Sequence, residues 1–149
     1  MKLKEYIAEA RDYYGNRGVG VIIACGDEIL LMKRSDEVYE PGTWSYPGGR
    51  VEDDEDKKSA AVREAMEETG YTIGGRMNLL HIFNDSESGF QYTTFIVHVN
   101  NKPSISLNWE NDNYGWFNTN NLPRPLHFGL RAALPRLKNH MKAATRQPL

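Results

Sequence analysis

The chain has 149 residues, a single cysteine and a formal net charge of −2. That length suffices for one domain with a real core. The near-neutral charge argues against a dedicated nucleic-acid surface, because phosphate-backbone affinity comes from clustered Lys and Arg. The lone Cys25 excludes a disulfide framework within the chain, which fits a reducing compartment. It sits in an apolar run, as a packed small hydrophobe rather than a nucleophile. The N-terminal MKLKEYIAEARDYYG has neither an uncharged apolar core nor a cleavage pattern. No signal peptide and no membrane span are expected, and a cytoplasmic location is the default.

In chain order, Leu3, Tyr6, Ile7, Ala10 and Tyr14 stand near helical spacing and predict a short helix over about 3–14, ended by Gly15. Such a helix is laid on the domain; a dimer contact is the alternative, so the chain is expected as a monomer or homodimer. Val19 to Ala24 predicts a buried strand, Gly26-Asp27 a turn, and Ile29 to Met32 a second, antiparallel strand. Arg34 at its end is either solvated or, with a site nearby, able to meet a substrate phosphate. Tyr39 to Gly49 reads as a loop with an extended piece at Trp44 to Tyr46, where Trp44 is a core plug. Pro47-Gly48-Gly49 lets the backbone approach a ligand closely, and a carbonyl there can serve a hard metal. Further on, Met77 to Asn84 and Phe90 to Asn100 predict strands joined by the polar turn NDSESG. In the second, Phe95, Val97 and Val99 share one side, and Thr94, Ile96 and His98 the other. His98 is expected to be structural. Asn100 to Asn113 is a loop containing Trp109-Glu110, and Tyr114 to Phe117 closes the sheet. Leu126 to Met141 has helical periodicity despite Pro135, and the tail from Lys142 to Leu149 is expected to fray. A mixed sheet flanked by helices predicts an α/β protein, an α/β/α sandwich over residues 1–149 as one domain.

The most informative stretch is Gly49 to Tyr71, GRVEDDEDKKSAAVREAMEETGY. It predicts a helix from about Asp56 to Thr69, with Asp56 as N-cap and Gly70 as a left-handed C-terminal stop. At about 100° per residue, Glu64, Glu67 and Glu68 fall within roughly 100° of arc on one face. Their mutual repulsion, and their opposition to the helix dipole, would be relieved by a divalent cation. Three oxygen donors suit a hard ion such as Mg²⁺ or Mn²⁺. An acidic helix in isolation is most often a solvated face. The surrounding spacing argues otherwise: Gly49, five residues, Glu55, seven residues, Arg63-Glu64, two residues, Glu67-Glu68, one residue, Gly70.

This series resembles the Nudix box, the signature of the Nudix hydrolase family, with Tyr71 standing where an aliphatic residue is usual. With its flanks the resemblance covers about Gly18 to Leu137. It implies the Nudix fold and a pyrophosphohydrolase acting, with Mg²⁺ or Mn²⁺, on a small-molecule nucleoside diphosphate linked to another group. It implies metal ligation by Glu64, Glu67, Glu68 and a carbonyl of the glycine pair, carried to Gly48, with Glu52 in the metal's outer surroundings. Arg63 is placed to orient Glu67 by an ion pair, and Glu55 supports the loop. An acidic residue from a late loop often joins the family's site; Glu110 is the candidate and Asp112 the runner-up, and either Glu64 or Glu110 takes the proton. Accessory motifs of the NADH, coenzyme A, ADP-ribose and dinucleoside-polyphosphate types are not visible. A nucleoside triphosphate therefore leads, a nucleotide sugar of the GDP-mannose or ADP-ribose type is second, and a non-catalytic nucleotide- or RNA-end-binding module is the alternative of another class. Phe90, Tyr92, Trp109 and Phe128 are the aromatic residues a base could stack on.

Overall fold

The computed structural model describes residues 3–146. Helix α1 (Leu3–Tyr14) leads into strands β1 (Arg17–Cys25), β2 (Glu28–Arg34), β3 (Trp44–Ser45) and β4 (Gly48–Arg50), then helix α2 (Lys57–Thr69). Strands β5 (Asn78–Asn84), β6 (Gln91–His98) and β7 (Asn111–Asn118) follow, and helix α3 (Phe128–Arg146) closes the fold. The strands form one mixed sheet with the path β3-β2-β1-β6-β5, β4 pairing with β1 and β7 with β2. Only β1 and β6 run parallel among the described pairs, Val19 opposite Thr93 and Ile23 opposite Val97. That pairing needs a long crossover, and the segment carrying α2 supplies it.

Strand alternation divides the core. Val19, Val21, Ile23, Phe95 and Val97 pack with Ala60, Ala61 and Ala65 of α2. Ile22, Ala24, Tyr92 and Ile96 face the opposite way, toward Ile7, Ala10 and Tyr14 of α1 and Leu130, Leu137 and Met141 of α3. The two faces of the Phe90 to Asn100 strand are thus both covered, and the layers are α/β/α as the pattern implied. Of the apolar stripe expected in α1, Ile7, Ala10 and Tyr14 are buried; the side chains of Leu3 and Tyr6 lie outside the description. Gly15, at φ +71°, donates to the Arg11 carbonyl and ends the helix.

Strand β4 falls largely where a loop was expected, several element ends shift by one or two residues, and two boundaries move by three residues or more. Strand β7 begins at Asn111 rather than Tyr114, because β2 offers it partners as far as Arg34. Helix α3 passes Pro135 and continues to Arg146, so the fraying expected from Lys142 is corrected for 142–146. Met141 is buried, and Lys-Ala-Ala after it favours continued helix. The rest of that tail, 147–149, lies outside the described residues. Among the described residues no helix is long and apolar enough to cross a membrane.

Candidate active site

Local chemistry places the acidic helix as the spacing predicted. The Asp56 carboxylate accepts from the Ser59 N–H at 2.8 Å, and Gly70, at φ +75°, donates to the Met66 carbonyl. Small residues Ala60, Ala61 and Ala65 bring α2 close to the sheet, which sets Glu64 and Glu68 beside β4. There the glycines leave room. A Cβ at Gly49 would stand 2.3 Å from the Glu64 carboxyl carbon, and one at Gly48 would stand 2.5 Å from the Val19 carbonyl oxygen.

Glu68 is 1% exposed. One of its oxygens accepts from the Gly48 N–H at 2.8 Å, the other from the Asn111 side-chain amide at 3.1 Å. Burial, followed by the charge of Glu110, raises its pKa well above the usual carboxylate range. Glu64 is nearly buried, and its pKa is pushed up to about 7, first by burial and then by the charges of Glu67 and Glu110. Arg63 opposes both effects. It donates to both oxygens of Glu55 at 2.8 Å, to Glu64 at 2.9 Å, to Glu67 at 3.4 Å and to the Arg50 carbonyl at 2.9 Å. The Glu67 pairing anticipated from sequence is therefore the longest of its contacts, and the two-pronged bond to Glu55 dominates. Arg63 in turn holds the Glu55 carboxyl below its ordinary range. Glu52 is exposed; its N–H donates to the Glu55 carboxylate at 3.2 Å and its carbonyl accepts from the Glu55 N–H at 3.1 Å, at the turn before α2.

Glu110 stands in the turn before β7 and is half-buried, whereas Asp112 is exposed. A Glu110 oxygen accepts from the Tyr13 hydroxyl at 3.1 Å, and its backbone carbonyl accepts from Ser35 N–H at 2.8 Å. Its charge acts on both Glu64 and Glu68. Arg34 departs from the expectation: it is 4% exposed, donates from Nε to the Tyr39 carbonyl at 2.5 Å, and lies under the Tyr13 ring, 5.4 Å from its centroid. In this arrangement α1 covers the end of β2, so a direct contact between Arg34 and a substrate phosphate is not available. Of the aromatic candidates, Phe90, Tyr92 and Phe128 are core residues, and Trp109 is 63% exposed. Trp44 packs edge-on against Phe117 at 5.3 Å. His98 pairs with His140, their Nε2 atoms 2.7 Å apart. Cys25 contacts the Asn100 carbonyl at 3.8 Å.

The donor set suits a hard cation, since it consists of oxygens whose negative charges repel one another in a buried place. Among the described residues, no three acidic, His or Cys side chains are gathered closely enough to hold an ion. Glu64 and Glu67 are turned to Arg63, and Glu68 to Gly48 and Asn111. A hollow of about 510 Å³ between residues 119–126 and α3 is lined by Arg124, Arg131 and Lys138, among others, and contains none of these carboxylates. The charge cluster, rather than hollow size, marks the chemistry.

Sequence reasoning missed two residues. Asn111, adjoining Glu110, was legible only as a polar residue ahead of a strand. Tyr13 stands one position before the buried Tyr14, off the apolar stripe, and nothing in the spacing of α1 marked it.

Comparison with known proteins agrees with this layout. The NUDIX domain family model matches residues 15–137. Over 51 residues, 34% of this chain and 32% of the relative, the chain is 45% identical to a putative 8-oxo-dGTP diphosphatase of Bacillus subtilis. Over 58 residues, 38% of this chain and 43% of the relative, it is 42% identical to the CTP pyrophosphohydrolase of Escherichia coli. The matched part is thus less than half the length of either protein. The crystal structure of a MutT NUDIX hydrolase from Burkholderia pseudomallei superposes with a TM-score of 0.69 at 29% identity, covering 82% of this chain and 97% of that one. Together with the complete box on α2 and the layered sheet, the match over most of the chain shows that it belongs to the NUDIX domain family.

Proposed function

We propose that this chain hydrolyses a pyrophosphate bond in a nucleoside triphosphate, giving nucleoside monophosphate and pyrophosphate. One observation carries the reading: the carboxylates of Glu64 and Glu68 are buried side by side against Gly48-Gly49, with the Glu110 charge directed at both. Names of similar proteins support the substrate class, a putative 8-oxo-dGTP diphosphatase and a CTP pyrophosphohydrolase.

Glu64, Glu67, Glu68 and the Gly48 carbonyl would hold Mg²⁺ or Mn²⁺. Such an ion, when bound, neutralises phosphate oxygens and acidifies an attacking water. Arg63, braced by Glu55, holds Glu64 and Glu67 in ion pairs. Asn111 and the Gly48 N–H fix Glu68. With Glu64 engaged as a ligand, Glu110 is left to accept the proton of the water, approaching from the β7 side. Trp109, exposed beside Glu110, is available as a surface for the base. Among the described residues no Ser or Cys side chain bonds to these carboxylates, which supports direct attack of water on phosphorus.

The test is turnover of a panel, including 8-oxo-dGTP, CTP, ADP-ribose and GDP-mannose, in ¹⁸O-labelled water with Mg²⁺. Monophosphate and pyrophosphate from a triphosphate, with label on one product only, are expected. Orthophosphate plus nucleoside diphosphate would sink the triphosphate reading; cleavage confined to ADP-ribose or GDP-mannose would replace it with a nucleotide-sugar hydrolase, and binding without any turnover with a binding module.

A further inference from the structure

Helix α1 ends before residue 15, where the NUDIX domain match begins, yet it reaches the candidate site. Its seat is firm. Tyr14 and Ala10 are fully buried, and the Tyr14 hydroxyl meets His127 Nε2 at 2.8 Å. Arg50 donates to the carbonyls of Asp12 and Tyr13 at 3.4 and 3.2 Å, while its own carbonyl accepts from Arg63. The last turn of α1 is thereby tied to the arginine that braces Glu64. Lifting α1 as a lid would expose these buried side chains, so the helix is a fixed wall.

From this wall Tyr13 projects between two charges. Its ring covers the guanidinium of Arg34, its hydroxyl donates to Glu110, and its ring stacks with Tyr39 at 6.0 Å between centroids. Arg34 is too deeply buried to touch a ligand, and its Nη2 is without a hydrogen-bond partner. A cation buried beside a phenol strengthens that phenol as a donor. The buried charge therefore reaches the site through the hydroxyl of Tyr13.

We propose that Tyr13 is a positioning residue that transmits the charge of Arg34 to Glu110 and holds the Glu110 carboxylate facing Glu64 and Glu68. This rests on the reading above that Glu110 takes part in hydrolysis. The orienting group comes from an element outside the matched domain, so it is a property of this chain's N-terminal helix.

The test compares wild type with Tyr13→Phe, Glu110→Gln and the double variant. Phenylalanine keeps the ring over Arg34 and removes only the hydroxyl. Loss of one hydrogen bond to a charged group should lower kcat about tenfold with KM changed less than about twofold. In the Glu110→Gln background the same change should have no further effect. A second readout uses the metal-free protein without substrate: amide exchange at Ser35, whose N–H is held by the Glu110 carbonyl, should quicken about fivefold in Tyr13→Phe while β1 amides are unaffected. Wild-type kcat in Tyr13→Phe, unchanged Ser35 exchange, or effects that multiply with Glu110→Gln would each overturn the proposal while leaving Glu110 in its role. A Glu110→Gln enzyme with wild-type kcat would instead remove the role of Glu110, and the proposal with it.

Discussion

Gly49 and Glu64 share a space that admits one side chain. An added Cβ would lie 2.3 Å from the Glu64 carboxyl carbon, at the movable end of a glutamate, so the strain in Gly49→Ala is released by swinging the carboxylate aside. Stability should change little. Activity should drop by about 10²-fold, as expected when a reacting-site group is displaced by an ångström or so. Gly20 offers the contrast. Its added Cβ would stand 2.4 Å from the ring of Tyr46 and 2.8 Å from the Tyr92 hydroxyl, and both side chains are buried with nowhere to go. Gly20→Ala should therefore destabilise the fold by about 1–3 kcal/mol. Thermal melts and kcat on the pair check both statements; full activity in Gly49→Ala would mean that Glu64 does not need its present seat.

Among the elements, α2 was legible in sequence because its determinants are local. Asp56, Ser59 and Gly70 cap it within its own turns, and the alanines that let it approach the sheet lie within six consecutive residues, Ala60 to Ala65. The contacts that finish the site are not local. Asn111 reaches Glu68 across 43 positions and Tyr13 reaches Glu110 across 97, and no periodicity within one element encodes either meeting. Arg34 was misjudged for the same reason: a basic residue at a strand end is ordinarily solvated, and here Tyr13 of α1 and the Tyr39 carbonyl enclose it. Helix α3 carries a further consequence. His127 precedes it and accepts from the Gly129 N–H at Nδ1, so Nε2 bears the ring proton toward Tyr14. Burial first, then Arg34 and Arg131, lowers its pKa far below the ordinary value. The unfolded chain protonates this histidine near its ordinary pKa of about 6.5, while the folded chain does not. Unfolded molecules then bind more protons, and stability is lost as pH falls below that point. His127→Asn keeps an acceptor for Gly129 and removes the titration. Melting temperature between pH 7.5 and 5 should fall more steeply for wild type than for the variant; equal slopes would contradict a buried neutral His127.

At the scale of the whole molecule, the sheet separates two tasks. Its α2 face and the β4 glycines seat the acidic residues, and its α1–α3 face carries the larger aromatic core and the wall that ends in Tyr13. Glu110, from the turn ahead of β7, stands where the two meet. The buried carboxylates of α2 are proposed to perform metal-dependent hydrolysis, and a change at Glu68 tests this, because that residue touches both β4 and Asn111. The measurement is kcat with Mg²⁺ for wild type and Glu68→Gln on the best triphosphate of the panel, with wild type repeated in excess chelator. A loss of at least ~10²-fold is expected in the variant, the usual effect of removing a group that organises transition-state charge, with no turnover in chelator. Equal rates for the two proteins, or full wild-type activity in chelator, would contradict it.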